Sequence, residues 1–337
     1  MANLALRSPQ YKASDVSGAT VLSTVLTLAI NSSPAYQLSK DKAVGETSTV
    51  FEISELCRDF LVMQFSGNNT SRTVQIDVTL TNYDGINGTG SVVGTPVSST
   101  DFGWESYGTY IDGQNPSNTA SRSIPTWLIA PIKSESYSVN TFEIFVPVGV
   151  PGFVPAVNST GQKLTESFST SDTQVTNSFL PTIKINRISC SKYGNGRKIV
   201  FVNKYGAQQD LWFSLRENQN LTRRNEDFKS NTLQFDDALP YYNTSDAPVK
   251  VFNTNAKKSY TLNSGYLPEG CTQWFEQLLL SEFVWMVIYR IENPASPVTI
   301  PVRVKSSNME LKNSVNNRLI NYTIEFEDAF DYINNIR

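Results

Sequence analysis

The chain reads as a mainly β protein made of two antiparallel β-sandwich-like domains, the second carrying one packed α-helix. Three observations predict this. Asn, Ser and Thr number 30, 38 and 30 among 337 residues, and these types favour turns and solvated strand faces over helix interiors. Short apolar runs of period two alternate with Gly- and Asn-bearing turns along most of the chain. Only one segment, 269–282, has apolar residues at helical spacing over its whole length. With 39% apolar and 18% charged residues, the chain can bury a core and is neither a disordered tail nor a charged coiled coil.

In the first half, Thr20–Ile30 (TVLSTVLTLAI) follows a polar segment with no basic cluster immediately before it, so it reads as a strand rather than a signal-peptide core. A strand at Val50–Ile53, a short turn-like SELCRDF piece and an apolar stretch at Leu61–Ser66 follow. Thr73–Thr81 gives the clearest signal, with Val74, Ile76, Val78 and Leu80 on one face and Gln75, Asp77 and Thr79 on the other. Residues 82–136 are rich in Gly, Ser, Asn and Thr and read as a long loop-rich insertion, in which the Gly85, Gly88 and Gly90 spacing is a plain loop rather than a phosphate cradle. Phe142–Val148 is a further strand.

A domain boundary is expected near Pro181, giving units 1–180 and 181–337. Lys plus Arg against Asp plus Glu is 9 to 15 before it and 19 to 16 after it, so −6 and +3 sum to the net −3. Beyond the boundary, strands are expected at Ile183–Ser189, Lys198–Asn203 and Asp210–Leu215, joined by turns at Lys192–Arg197 and Lys204–Gln208. More follow at Val249–Phe252, Ser259–Asn263, Phe283–Ile291, Val298–Lys305, Glu310–Lys312 and Leu319–Glu327. The helix 269–282 is opened by Pro268 and Glu269 and turns Trp274, Phe275, Leu278 and Leu279 to the sheet.

Several function classes are excluded or disfavoured. The chain has no histidine, so His-dependent triads, His-ligated zinc and a histidine pH switch are absent. Cys57, Cys190 and Cys271 form no CxxC pair and read as reduced core thiols of a protein made in a cytosol. A net charge of −3 disfavours a sequence-independent nucleic-acid binder, and no apolar run reaches the ~20 residues of a membrane span. Eight Asn-X-Ser/Thr sequons are close to the number that this composition produces by chance. No catalytic, cofactor or metal residue is assigned. Carboxylates at Asp236–Asp237 and at Glu325, Glu327, Asp328 and Asp331 read as a solvated rim. Arg223 and Arg224, close to Glu226 and Asp227, read as surface pairing or an inter-subunit contact. Trp104, Tyr107 and Tyr110 are the candidate contact residues, either against a neighbouring subunit or as a platform for a glycan. A carboxylate-only glycan-degrading site at Asp101, Glu105 and Asp112 is the weakest reading.

Two groups of stretches carry a family resemblance. Arg7–Tyr11 (RSPQY), Tyr36–Lys40 (YQLSK) and Val50–Phe60 (VFEISELCRDF) lie in the first half. Phe201–Phe213 (FVNKYGAQQDLWF), Leu278–Trp285 (LLLSEFVW) and Leu319–Asp331 (LINYTIEFEDAFD) lie in the second. Together they resemble virion structural proteins of tailed bacteriophages, leaving 82–181 uncovered. The resemblance implies a non-enzymatic component of the tail, baseplate or neck, located in the virion after synthesis in the host bacterial cytoplasm without a signal peptide. Its partners would be copies of itself in a ring and neighbouring virion proteins. The alternative is a receptor-binding protein that recognises host surface glycans.

Overall fold

The computed structural model describes residues 3–67, 72–107, 128, 132–133, 140–157, 163–178, 180–189, 196–236, 239–288, 297–310 and 319–332. The fold is mainly β, with several sheets and two short α-helices among the described residues. Most strand pairs are antiparallel. Asn3–Ala5 against Val92–Trp104 and Glu143–Pro147 against Leu180–Ile188 run parallel.

The N-terminal unit is a five-stranded sheet in the order Asn3–Ala5, Val92–Trp104, Val74–Tyr83, Ser23–Ile30 and Ser33–Asp41. Asn31 and Ser32, both at positive φ, form the two-residue turn that joins the last two strands, a geometry whose twist matches that of the strands it links. Val74, Ile76, Val78 and Leu80 alternate into the core as their period requires, beside Leu26, Leu28 and Ile30 of the neighbouring strand.

Two differences from the sequence reading arise here. SELCRDF is not a turn but the body of helix α1 (Ser54–Val62). Its buried face consists of Ser54, Cys57 and Leu61, with Leu56 and Phe60 half-buried against the same core, a stripe confined to a nine-residue segment. The front of the expected 82–136 insertion is a hairpin. A Gly-rich turn, in which Asp84 Oδ1 accepts the Ser91 N–H at 2.6 Å, leads directly into the 13-residue strand Val92–Trp104. Most side chains from Val92 to Thr100 are exposed or half-buried, so this strand lacks the apolar alternation that marks a core strand.

The remainder is organised around a seven-stranded antiparallel sheet. Its order is Gln208–Phe213, Arg197–Val202, Val284–Ile288, Val298–Val304, Thr323–Asp328, Val249–Asn263 and Glu217–Lys229. Against it pack a 3₁₀ turn at Glu269–Cys271 and helix α2 (Thr272–Leu279), which bury Cys271, Trp274, Phe275 and Leu278. Phe275 stands edge-on to Phe213 at 6.2 Å and lies 4.7 Å from the Tyr322 ring. Aromatic pairs so placed add to the area they bury. The expected helix 269–282 thus ends early, because Ser281 and Phe283 begin the approach to the next strand.

Pro181, the expected boundary, lies inside the strand Leu180–Ile188. Val146, Val154, Phe168, Ile183 and Ile185 share one apolar core with Ile199, Phe213, Phe275 and Phe326, so packing is continuous across that point. The separate N-terminal core is drawn from residues 4–80. Charge balance reports the solvent-facing surface, and that is why its change near 181 does not mark a break in the core. The expected hairpin between Ile183–Ser189 and Lys198–Asn203 is not formed either. The first of these strands pairs with Glu143–Pro147 and Gln174–Asn177, the second with Gln208–Phe213 and Val284–Ile288.

Candidate interaction surface

Trp104 closes the strand Val92–Trp104 with its indole fully buried, in a small cluster with Leu128, Val157 and Ala207. It is therefore a core residue, which corrects its reading as an exposed loop aromatic. The residues that follow run along the seam between the two parts of the chain. Tyr107 donates its backbone N–H to Lys204 O at 3.1 Å, and its ring lies beneath Arg7, with Cζ 5.3 Å from the centroid. Burial raises the Tyr107 hydroxyl pKa, while Arg7 pulls it the other way. Tyr110 lies outside the described residues.

The seam is an ion cluster built on a buried carboxylate. Glu105 is 1% exposed and receives Arg58 of α1 as a fork, Nε at 2.9 and 3.1 Å and Nη2 at 2.7 Å. The same Arg58 Nη2 reaches Glu282 at 2.7 Å, Arg7 Nη2 reaches Glu282 at 2.6 Å, and Arg7 Nε stands 3.8 Å from Glu105. Hydrogen bonding to Glu105 pushes the Arg58 guanidinium pKa further above its ordinary value. Beside the cluster, the turn 203–207 is held by Asn203, whose Oδ1 accepts the N–H groups of Tyr205 and Ala207 at 3.0 and 3.1 Å. Gly206, at φ +79°, lies against the Glu105 backbone, where a Cβ would come within 2.8 Å of its N and C atoms. On the other side Phe65 stacks on Phe283 at 5.3 Å, and Gly67 lies against the Trp285 ring.

Sequence reasoning missed Arg7, Arg58 and Glu282 as a group, because the partners are separated by up to 275 positions. The stretches RSPQY, VFEISELCRDF, FVNKYGAQQDLWF and LLLSEFVW supply Arg7, Arg58, Asn203 with Gly206, and Glu282 respectively. They meet at this seam.

Comparison with protein-family models, curated proteins and solved structures finds no match to the chain.

Two of the three carboxylates of the acid–base reading are held by cations. Asp101 accepts Lys12 Nζ at 2.6 Å, Glu105 is held by Arg58, and Asp112 lies outside the described residues. Cys57 and Cys271 are buried free thiols, and burial raises Cys57 to about 12; Cys190 lies outside the described residues. Glu325 and Glu327 sit half-buried, near Lys305 and Lys257.

Asp328 departs from the solvated-rim reading. It is 2% exposed, its Oδ1 has no hydrogen-bond partner among the described residues, and burial raises its carboxyl above the ordinary value of 3.8 while the Tyr260 hydroxyl lowers it. A raised folded-state pKa gives stability that is fully present below the unfolded value and is lost as pH rises through the folded one. Asp328→Asn removes that loss and still offers an acceptor to Tyr260. Its melting temperature is expected to match the parent at pH 3.5 and to exceed it at pH 7. A deficit at pH 7 in parallel thermal melts would refute this.

A run of exposed apolar side chains lies elsewhere, on a two-stranded arm. Within Val249–Asn263, only Ser259–Asn263 joins the ladder with Thr323–Asp328, and Tyr332 donates its N–H to Ala256 O at 2.7 Å, so residues 249–255 and their strand partners 224–229 reach past Thr323–Asp328. Seven residues in extended conformation span roughly 23 Å. The arm carries Leu221, Phe228, Val251 and Phe252 exposed, and its end, where Gln234–Asp236 pairs with Leu239–Tyr241, exposes Phe235 (78%) and Leu239 (75%). At its base Lys258 Nζ sits 4.4 Å over the Tyr332 ring.

Proposed function

We propose that the chain is a non-enzymatic structural component of a tailed-phage virion, a ring-forming adaptor of the tail, baseplate or neck that assembles with copies of itself and with neighbouring virion proteins. The observation that carries this reading is the arm. A two-stranded ladder beyond its sheet is marginal in water, and a run of exposed apolar side chains along it marks a surface that gains by being covered. The seam supports the same reading, since a cluster that ties the N-terminal unit to the larger sheet suits a subunit that transmits load. Buried thiols suit a chain made in a reducing host cytoplasm. The burial of Trp104 removes one member of the aromatic platform on which the glycan-receptor alternative rested.

The test is electron microscopy of the purified protein, with antibody labelling of particles. Closed rings and labelling at one level of the tail are the expected result. A monodisperse monomer together with unlabelled particles would sink the proposal.

A further inference from the structure

We propose that the strand Glu217–Lys229 pairs antiparallel with the same strand of a second copy of this chain, about a two-fold axis passing through Asn225. This strand is the outer edge of the seven-stranded sheet, and residues 218–229 are exposed throughout. An edge of that length presents a row of backbone N–H and C=O groups with no strand neighbour among the described residues on one side. The edge is also regular. Glu226 faces Asn253 and Asp227 faces Val251, so the extra residue of the bulge, Phe252, belongs to the inner strand.

The order of charges selects the occupant. Arg223-Arg224-Asn225-Glu226-Asp227 reverses sign about its centre. With Asn225 opposite Asn225, Arg223 faces Asp227 of the other copy and Arg224 faces Glu226, and the two-fold axis repeats both contacts. Within the chain these four side chains sit across from Ala256, Asn255, Asn253 and Val251, and none is ion-paired to a described residue.

Other registers are rejected by the same charges. Only alternate residues turn their N–H and C=O to the open edge, so the register moves in steps of two. One step sets Arg224 opposite Arg224, and the opposite step sets Glu226 opposite Glu226, both repulsive. Charges that merely guard an edge need one sign. A sign-reversing order attracts one partner in one register, which is the self-complementarity of an isologous contact.

The test is sedimentation equilibrium of the full chain. The parent is expected to dimerise through this strand. Arg223→Glu with Arg224→Glu, at exposed positions that leave the far-UV circular dichroism unchanged, is expected to weaken self-association at least about tenfold, by setting acidic residues against acidic residues. Adding Glu226→Arg and Asp227→Arg restores the sign reversal and is expected to restore the dimer. Asn225→Cys is expected to cross-link two copies on mild oxidation beyond the parent's background, because directly opposed residues have Cα atoms within disulfide range. Asn220→Cys is expected not to. A parent that stays monomeric, a charge-reversed pair that associates like the parent, or a fourfold reversal that does not rescue would each overturn the inference. It does not rest on the phage reading. A dimer through this strand in a protein that forms no ring keeps the inference and ends the ring, whereas rings indifferent to the reversals do the opposite.

Discussion

Replacing Trp104 with alanine is expected to lower the stability of the isolated chain by about 3–5 kcal/mol, the range for emptying a fully buried large aromatic site. The indole fills the cluster of Leu128, Val157 and Ala207, with Phe102 and Tyr205 packed at its border. Ala207 belongs to the turn clamped by Asn203, so the cavity would open where the N-terminal sheet meets the larger one. The rigid turn limits collapse into the space, and the cost of a cavity rises with the volume that remains. Urea denaturation measures the effect as a lower midpoint at unchanged slope. An aromatic serving only as a surface contact would leave the midpoint where it was and change assembly instead, so this substitution separates a core residue from an interface residue.

Arg58→Ala is expected to cost about 3 kcal/mol, at the lower end of the range for removing one partner of a buried ion pair. Most of that cost comes from the group left behind, the Glu105 carboxylate at 1% exposure without its fork of donors. Two features hold the loss to that lower end. Arg58 is itself 30% exposed, and Arg7 Nε stays 3.8 Å from the same carboxylate. Arg58→Lys should recover only part of the loss, because a single ammonium cannot make both parallel bonds. Glu282→Gln is the contrasting case. Glu282 is 50% exposed, and its loss should fall within about 0–1 kcal/mol. Chemical denaturation followed by tryptophan fluorescence reads all three. A loss from Glu282→Gln equal to that from Arg58→Ala would show that the exposed half of the cluster, not the buried half, joins the two parts.

Much of the strand content is legible because it depends on local alternation. Val74–Tyr83 buries every second residue from Val74 to Leu80, and the turn at 203–207 announces itself through Asn and Gly. Helix α2 is legible through Trp274, Phe275 and Leu278 on one face. Helix α1 has the same spacing in Leu56, Cys57, Phe60 and Leu61 but no helical pattern on either side to extend it. The strand Val92–Trp104 is hidden by its exposed half. Trp104 misleads for a related reason: a tryptophan among glycines and serines looks like a loop residue until residues 128, 157 and 207 arrive to cover it. The Arg223–Asp227 stretch stands out in the sequence, but its charges could be assigned to mutual neutralisation until the strand register places neutral residues opposite them.

Composition and contacts within a few residues along the chain are enough to give the mainly β class, the absence of histidine chemistry and the positions of most strands. Tertiary structure alone decided three things: that the core runs across Pro181, that Arg7, Arg58, Glu105 and Glu282 form one cluster, and that Glu217–Lys229 is an open edge. The physical reason is common to them. Burial and ion pairing are properties of which distant segments meet, and a strand's own alternation does not say which neighbours it takes or on which side it is left without one.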